Sequence, residues 1–222
     1  MKKGFTLSEL LLALVVIGVI TVIAIPRVVG DMNNKSRVTA LQKTYTDLAS
    51  AVKLLLIAER ASTLQHSSLC VDNLSYDTTN RVNNSAGKFL LTYMDVKNDC
   101  KLDFEECFAP MDKYKNISKE SLKFPQIEDG QAYSVELTSG ATVAMIPGDE
   151  DVGNKAPVKV YIDVNGKASP NIAGRDLFLI YVYYDGFVGD RVSNTSKETC
   201  KENLYGSGCF NRLVNENWSM DY

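Results

Sequence analysis

Glu9 is the residue of this 222-residue chain whose setting asks for the most chemistry. It lies in FTLSELLLALVVIGVITVIAIP, residues 5–26, where sixteen of 22 residues are apolar and no other is charged. An ionised carboxylate on an apolar, lipid-facing helix is expensive at the bilayer centre and less so near the interface. It therefore calls for a partner. No cationic side chain lies within one helical turn C-terminal to it. A chain cut just before Phe5 would supply one, because a new α-ammonium would then stand four residues before Glu9.

Other groups able to do chemistry are few. The one histidine, His66, sits beside Gln65 and two serines in a polar stretch and reads as a solvated loop residue. Triads, Cys-His dyads and His-rich metal centres would all have to use it. No phosphate-cradling glycine motif, G-x-S-x-G or H-E-x-x-H occurs, so the chain does not read as an enzyme. Five cysteines are present: Cys70, Cys100, Cys107, Cys200 and Cys209. The spacings contain no C-x2-C, which argues against zinc. Cys200 and Cys209 enclose a short glycine-containing segment and form the expected disulfide, worth about 2–3 kcal/mol by loop entropy. Among Cys70, Cys100 and Cys107 one further pair is expected, its members open. Asp149, Glu150 and Asp151 make an acidic run, and Asp163 with Asn165 begins like a calcium loop. The D-V-N-G order puts Gly at the fourth position, where an EF-hand needs it at the sixth. Solvated turns are the simpler reading of Asp149, Asp151, Asp163 and Asn165, and no cofactor is expected. Tyr181, Tyr183 and Tyr184 read as sheet packing before they read as a binding surface.

These residues need elements to hold them. Leu10–Ile25 carries no charge, and residues 5–25 as a helix would span roughly 30 Å, about one hydrocarbon core. Beyond Pro26 the pattern becomes one-sided. Val38, Leu41, Tyr45, Leu48, Val52 and Leu55 recur at helical spacing, with Lys35, Arg37, Lys43, Asp47 and Lys53 mostly off the stripe. One helix is expected from about Phe5 to Glu59, bent at Pro26 and softened at Gly18. Residues 60–130 read as a connector with short helices at Lys88–Met94 and Leu102–Tyr114 and loops around Asn73, Asn80, Asn83 and Asn84. Strands follow: Ala132–Thr138 and Ala141–Ile146 as a hairpin, a half-buried strand alternating Val158, Val160 and Ile162 with Lys159, Tyr161 and Asp163, then Leu177–Tyr184. Asn165-Gly166 marks a turn. Long helix, connector and antiparallel sheet make an α+β fold, with a loop-rich C-terminus.

The N-terminus, MKKG followed by FTLSELLLALVVIGVITVIAIP, closely resembles the class III signal of type IV pilins and type II secretion pseudopilins. Lys2 and Lys3 match the basic leader, Gly4 the residue before the cut, Phe5 the first mature residue and Glu9 its fifth. The resemblance covers about 26 residues. It implies cleavage between Gly4 and Phe5 by a prepilin peptidase, N-methylation of Phe5, and pairing of Glu9 with the Phe5 amine of a neighbouring subunit during assembly. Gly18 and Pro26 resemble the softening positions of pilin stems, Cys200–Cys209 the C-terminal disulfide loop, and DVNGKASPNIAGRD, residues 163–176, a turn common in such heads. Some pseudopilins bind calcium after the sheet. The implied partners are other pilin-like subunits, the peptidase, an inner-membrane assembly platform and the membrane itself. The implied location is the inner membrane, single-pass with the head outside the cytoplasm, then a pilus or periplasmic pseudopilus.

The resulting division is a leader at 1–4, a transmembrane and assembly helix at 5–26, an amphipathic helix at 27–59, a connector at 60–130, and a sheet with C-terminal disulfide loop at 131–222. A formal charge of −3, becoming −5 without Lys2 and Lys3, argues against nucleic acid as a partner. The rivals are a membrane-tethered periplasmic enzyme or solute-binding domain that does not polymerise, and an ordinary secreted protein freed from its apolar segment. Asn116 and Asn194 begin Asn-x-Ser sequons.

Overall fold

The computed structural model describes residues 6–71, 85–124, 127, 131–147, 158–191 and 197–220. Lys2, Lys3, Gly4 and Phe5 lie outside the described residues, as do Asn73, Asn80, Asn83, Asn84, Asp149, Glu150, Asp151 and Asn194, and so do the side chains of residues 23–28, including Pro26. The chain forms two compact units, Met1–Ser36 and Arg37–Tyr222.

Helix α1, Leu7–Glu59, is a single 53-residue element that runs uninterrupted across the positions of Gly18 and Pro26. In the first unit its described side chains from Leu7 to Val22 are all exposed. Among the described residues no helix is long and apolar enough to cross a membrane. The described part of the apolar face stops at Val22, while the uncharged run in the sequence goes on to Ile25.

In the second unit α1 becomes amphipathic. Val38, Leu41, Leu48, Val52 and Leu55 are buried and Tyr45 is partly so, the stripe that the 3-4 spacing marks. They pack on an antiparallel meander of six strands, in the order β1-β2-β3-β4-β5-β6. These strands are β1 (Val96–Lys101), β2 (Tyr133–Leu137), β3 (Thr142–Pro147), β4 (Val158–Asp163), β5 (Leu177–Val182) and β6 (Val188–Gly189). The helix meets one face of the sheet: Val135, Val143, Val160, Ile162, Phe178 and Ile180 join its core. The α+β architecture is the expected one, a long N-terminal helix against an antiparallel sheet.

Two features differ from the pattern expected. The strand at 158–163 is buried along its whole length, Lys159 and Asp163 included. Its second face is covered by residues 100–124 and Ile127, whose Phe104, Phe108, Tyr114 and Phe124 pack on Ala144, Tyr161 and Leu179. Alternation of polar and apolar side chains marks a half-buried strand only while one face stays wet, and here a second layer closes it. The connector also supplies an edge strand, β1, whose VKNDCK carries no apolar periodicity. Its register with β2 slips between Val96 and Asn98 and again between Asp99 and Lys101. Charges and bulges on an edge strand block pairing with a foreign edge.

Short helices fill the rest: α2 (Ser68–Val71), α3 (Ser85–Tyr93), α4 (Phe104–Cys107), α5 (Lys197–Glu202) and α6 (Cys209–Asn215). The C-terminal segment closes over α1 through an aromatic cluster, with the Tyr45 ring 5.0 Å from Phe210 and 6.2 Å from Trp218.

Candidate functional site

Thr6 and Glu9 open α1 as a reciprocal pair. The Thr6 backbone N–H donates to Glu9 Oε2 at 2.8 Å, and the Thr6 hydroxyl donates to the same oxygen at 2.7 Å. The Glu9 N–H in turn donates to Thr6 Oγ1 at 3.3 Å. This is a capping box, in which two of the orphan N–H groups of a helix start are satisfied by a Thr-x-x-Glu pair. The carboxylate thus sits at the positive end of the helix dipole with three residues of backbone folded around it. The signal is local in the sequence, Thr6-Leu7-Ser8-Glu9 before an apolar run, the Thr-x-x-Glu pattern of a helix start. The cap accounts for a carboxylate within one chain, and it leaves Glu9 Oε1 without a hydrogen bond to any described residue.

The head holds its acids differently. Asp163 and Asp176 are fully buried at the two ends of the β4–β5 connection. Asp163 Oδ2 accepts the Tyr114 hydroxyl at 2.7 Å and its Oδ1 accepts the Asn165 N–H at 3.1 Å. Asp176 accepts three backbone N–H groups, from Asn171 at 2.8 Å, Ile172 at 2.5 Å and Leu177 at 3.1 Å. Burial pushes the Asp163 carboxyl up from its ordinary 3.8 to about 8, and the neighbouring Asp176 adds to this, while the Tyr114 hydrogen bond opposes it. Burial also raises Asp176, against the pull of its backbone donors and of the Arg37 guanidinium on α1. Both carboxyl groups work as internal turn organisers here, replacing backbone acceptors that the connection at 164–176 cannot supply itself. Sequence spacing did not reveal this, because it shows neither their burial nor the arrival of Tyr114 from the second layer.

The cysteines form two bonds, Cys100–Cys107 and Cys200–Cys209, and leave Cys70 free. Burial lifts the Cys70 thiol to about 11, so it is a poor nucleophile. The C-terminal bond is seated on the β4–β5 connection: a Cβ at Gly174, φ +88°, would stand 2.8 Å from Cys200 Sγ and 3.0 Å from Cys209 Sγ. The same connection is tied to residues 114–123 by Lys115 N–H to Asn171 O at 3.1 Å and Ala173 N–H to Lys115 O at 2.9 Å.

The remaining candidates have ordinary surroundings. His66 is exposed, its Nδ1 3.0 Å from the Thr63 hydroxyl. Tyr181 is buried in the second-layer core, and the Tyr183 hydroxyl donates to Asp190 O at 3.2 Å. Asn116 is fully buried, its amide closed on Glu120, so it cannot accept a glycan in the folded head. Among the described residues no three His, Cys, Asp or Glu side chains are grouped as a metal site. A groove of about 360 Å³ opens between α1 and the β2–β3 turn, with Lys43, Asp47, Leu54, Tyr93, Asp95 and Leu137 on its walls. One of its carboxylates is engaged, since Asp95 Oδ2 accepts the Thr138 hydroxyl at 2.5 Å.

Compared with curated proteins and with solved structures, the chain shows no significant match to either. Its N-terminus does match a family model, and over the stretch that holds the capped Glu9. Residues 1–25 carry the prokaryotic N-terminal methylation motif, the class III prepilin signal.

Proposed function

We propose that this chain is a structural subunit of a type IV pilus or a type II secretion pseudopilus. A prepilin peptidase removes residues 1–4 and Phe5 becomes the N-methylated N-terminus. Residues 5–26 hold the subunit in the inner membrane with its head outside the cytoplasm. Assembly on an inner-membrane platform then exchanges lipid contacts for the stems of neighbouring subunits, and Glu9 sets the register by taking the Phe5 ammonium of a neighbour. The observation that carries this reading is the methylation motif in register with Glu9.

A stem exposed on all sides cannot stay bare in water, and α1 exposes Leu10, Leu11, Leu12, Leu14 and Ile17 at once. In lipid or in a bundle of like stems these side chains are satisfied. A carboxylate carried into such a bundle is tolerated only when paired, which makes one axial stagger much better than its neighbours. Gly18 and Pro26 would let the helix adapt between the two settings, and the Cys200–Cys209 bond would fix the head surface that the filament displays. Neither a metal nor catalysis is required for this work.

The test is the isolation of filaments sheared from cells that express the protein together with its own assembly machinery. The reading expects this chain in the filament fraction. Its retention in the membrane as a monomer, with filaments of other subunits present, would favour a tethered domain that does not polymerise.

A further inference from the structure

Two oppositely charged surfaces of the head are carried by different loops of the layer that covers the second face of the sheet. The first is basic. Residues 115–121 form a tight hairpin, with Lys115 paired to Ser121 and the Asn116 N–H donating to Glu120 O at 2.8 Å. The C-terminal segment is bonded to it: Ser118 N–H to Lys201 O at 3.3 Å and Lys123 N–H to Leu204 O at 2.8 Å. Lys115, Lys119, Lys123 and Lys201 are all exposed there, beside a Tyr205 that is 49% exposed. Among the described residues none of these four ammonium groups is in an ion pair. Glu120 is closed on Asn116, and Glu198 and Glu202 of α5 reduce the net charge of the patch.

The second surface is acidic. Asp103, Glu105 and Glu106 are exposed within four residues, on a loop shut by the Cys100–Cys107 bond and flanked by one cation, Lys101. Asp103 caps α4 by accepting the Glu106 N–H at 3.2 Å, which fixes the loop before any partner arrives. This loop extends from edge strand β1, while the basic hairpin is bridged to Ile172 in the β4–β5 connection. The two attachment points lie three to four strand spacings apart, about 14–19 Å across the sheet, although both segments belong to one covering layer in which the Phe104 and Phe124 rings are 6.2 Å apart.

We propose that the Lys115–Lys123 hairpin, with Lys201, docks the acidic Asp103–Glu106 loop of a second copy of this chain. The inference rests on the filament reading and adds to it the contact between heads. A helical filament needs a heterologous interface, in which one patch meets a different patch of the next copy, and the head carries such a complementary pair. Both surfaces are rigidly held, so little order is lost on contact, and an exposed tyrosine among cations gives the basic side an anchor. Charges at such a contact govern encounter and register and are weakened by salt.

The experiment is a charge-reversal swap in the full chain, scored as filament sheared from cells and as the salt sensitivity of those filaments. Lys119→Glu with Lys123→Glu, and separately Glu105→Lys with Glu106→Lys, are each expected to lower filament yield about tenfold, the order expected for two exposed pairs turned into repulsions. Cleavage at Gly4 should be unchanged and each variant head should still unfold in one cooperative transition, the Glu105→Lys side losing only the hydrogen bond that Glu105 Oε1 accepts from the Met111 N–H at 3.3 Å. The four-residue swap is expected to restore yield to within about twofold. Wild-type yield from either one-sided variant overturns the contact and leaves the filament reading standing. Loss on the lysine side that the swap does not repair overturns the second copy as partner and points to another acidic ligand. Absence of wild-type filaments overturns both readings together.

Discussion

Gly174→Ala is the substitution that tests how the C-terminal disulfide and the β4–β5 connection depend on each other. The glycine has φ +88°, where an L side chain costs about 1–2 kcal/mol. Its new Cβ would stand 2.8 Å from Cys200 Sγ, 3.0 Å from Cys209 Sγ and 3.2 Å from Ile117 Cδ1. A bonded sulfur pair cannot withdraw as a flexible side chain would, so overpacking adds about 1–3 kcal/mol. The expected loss is about 2–5 kcal/mol. In a unit of this size each kcal/mol moves the midpoint by about 2–4 °C. Removing the disulfide by Cys200→Ala with Cys209→Ala itself costs about 2.7 kcal/mol for a loop of about ten residues. That variant also clears the space the new methyl needs. In the disulfide-free background, Gly174→Ala should therefore cost only the backbone term of about 1–2 kcal/mol. The two perturbations are predicted to couple by about 1–3 kcal/mol rather than add. Thermal unfolding of all four proteins, followed by circular dichroism in one detergent and at one pH, measures the cycle. Strict additivity would show that the sulfurs do not pack on Gly174.

Two further predictions separate roles that the structure superimposes. Glu9→Gln keeps an acceptor for the Thr6 N–H but loses the charge, whereas Glu9→Ala loses both. If the charge sets register, both variants are processed normally and both fail to enter filaments, measured as the ratio of sheared to membrane-bound protein; wild-type assembly by Glu9→Gln would reduce Glu9 to a helix cap. The second concerns pH. Because burial raises the folded-state pKa of Asp163 to about 8, the folded head binds a proton that the unfolded chain releases near 3.8. The contribution of this group to stability is thus full below about pH 4 and is lost as pH rises to about 8. Urea midpoints across that range should fall in the wild type and change less in Asp163→Asn, and an unchanged slope in that variant would assign the dependence to other groups.

Some of this was legible because it is local. The apolar run with its one acid, the 3-4 stripe from Val38 to Leu55, and the hairpin at Ser139-Gly140 each depend on neighbours within a turn or two of chain. The Cys200–Cys209 bond was readable for the same reason, its separation being nine residues. What escaped was long-range. Tyr114 reaches Asp163 across 49 residues, and no spacing rule anticipates a buried carboxylate that a distant hydroxyl satisfies. The closing of the second sheet face by Phe104, Phe108 and Phe124 is likewise a tertiary event, so Lys159 and Asp163 read as solvent-facing when they are not. Strand β1 escaped because an edge strand is charged and bulged to discourage pairing, which erases the alternation that would identify it. The choice of Cys107 over Cys70 as partner of Cys100 rests on α4 turning back on β1, a turn set by the Asp103 cap. The Thr6–Glu9 capping box is the exception. It is local, since Thr6 and Glu9 stand three residues apart, and the same carboxylate serves as helix cap and as the lone charge of an apolar run.

A filament subunit of the proposed kind has an apolar stem that begins at Phe5 and stays on the mature chain. N-terminal mass spectrometry of the protein purified from cells tests it most directly. The expected mature chain starts at Phe5, carries one methyl group on its amine and retains residues 5–26. A chain that still begins at Met1, or one that begins beyond Ile25, would contradict it.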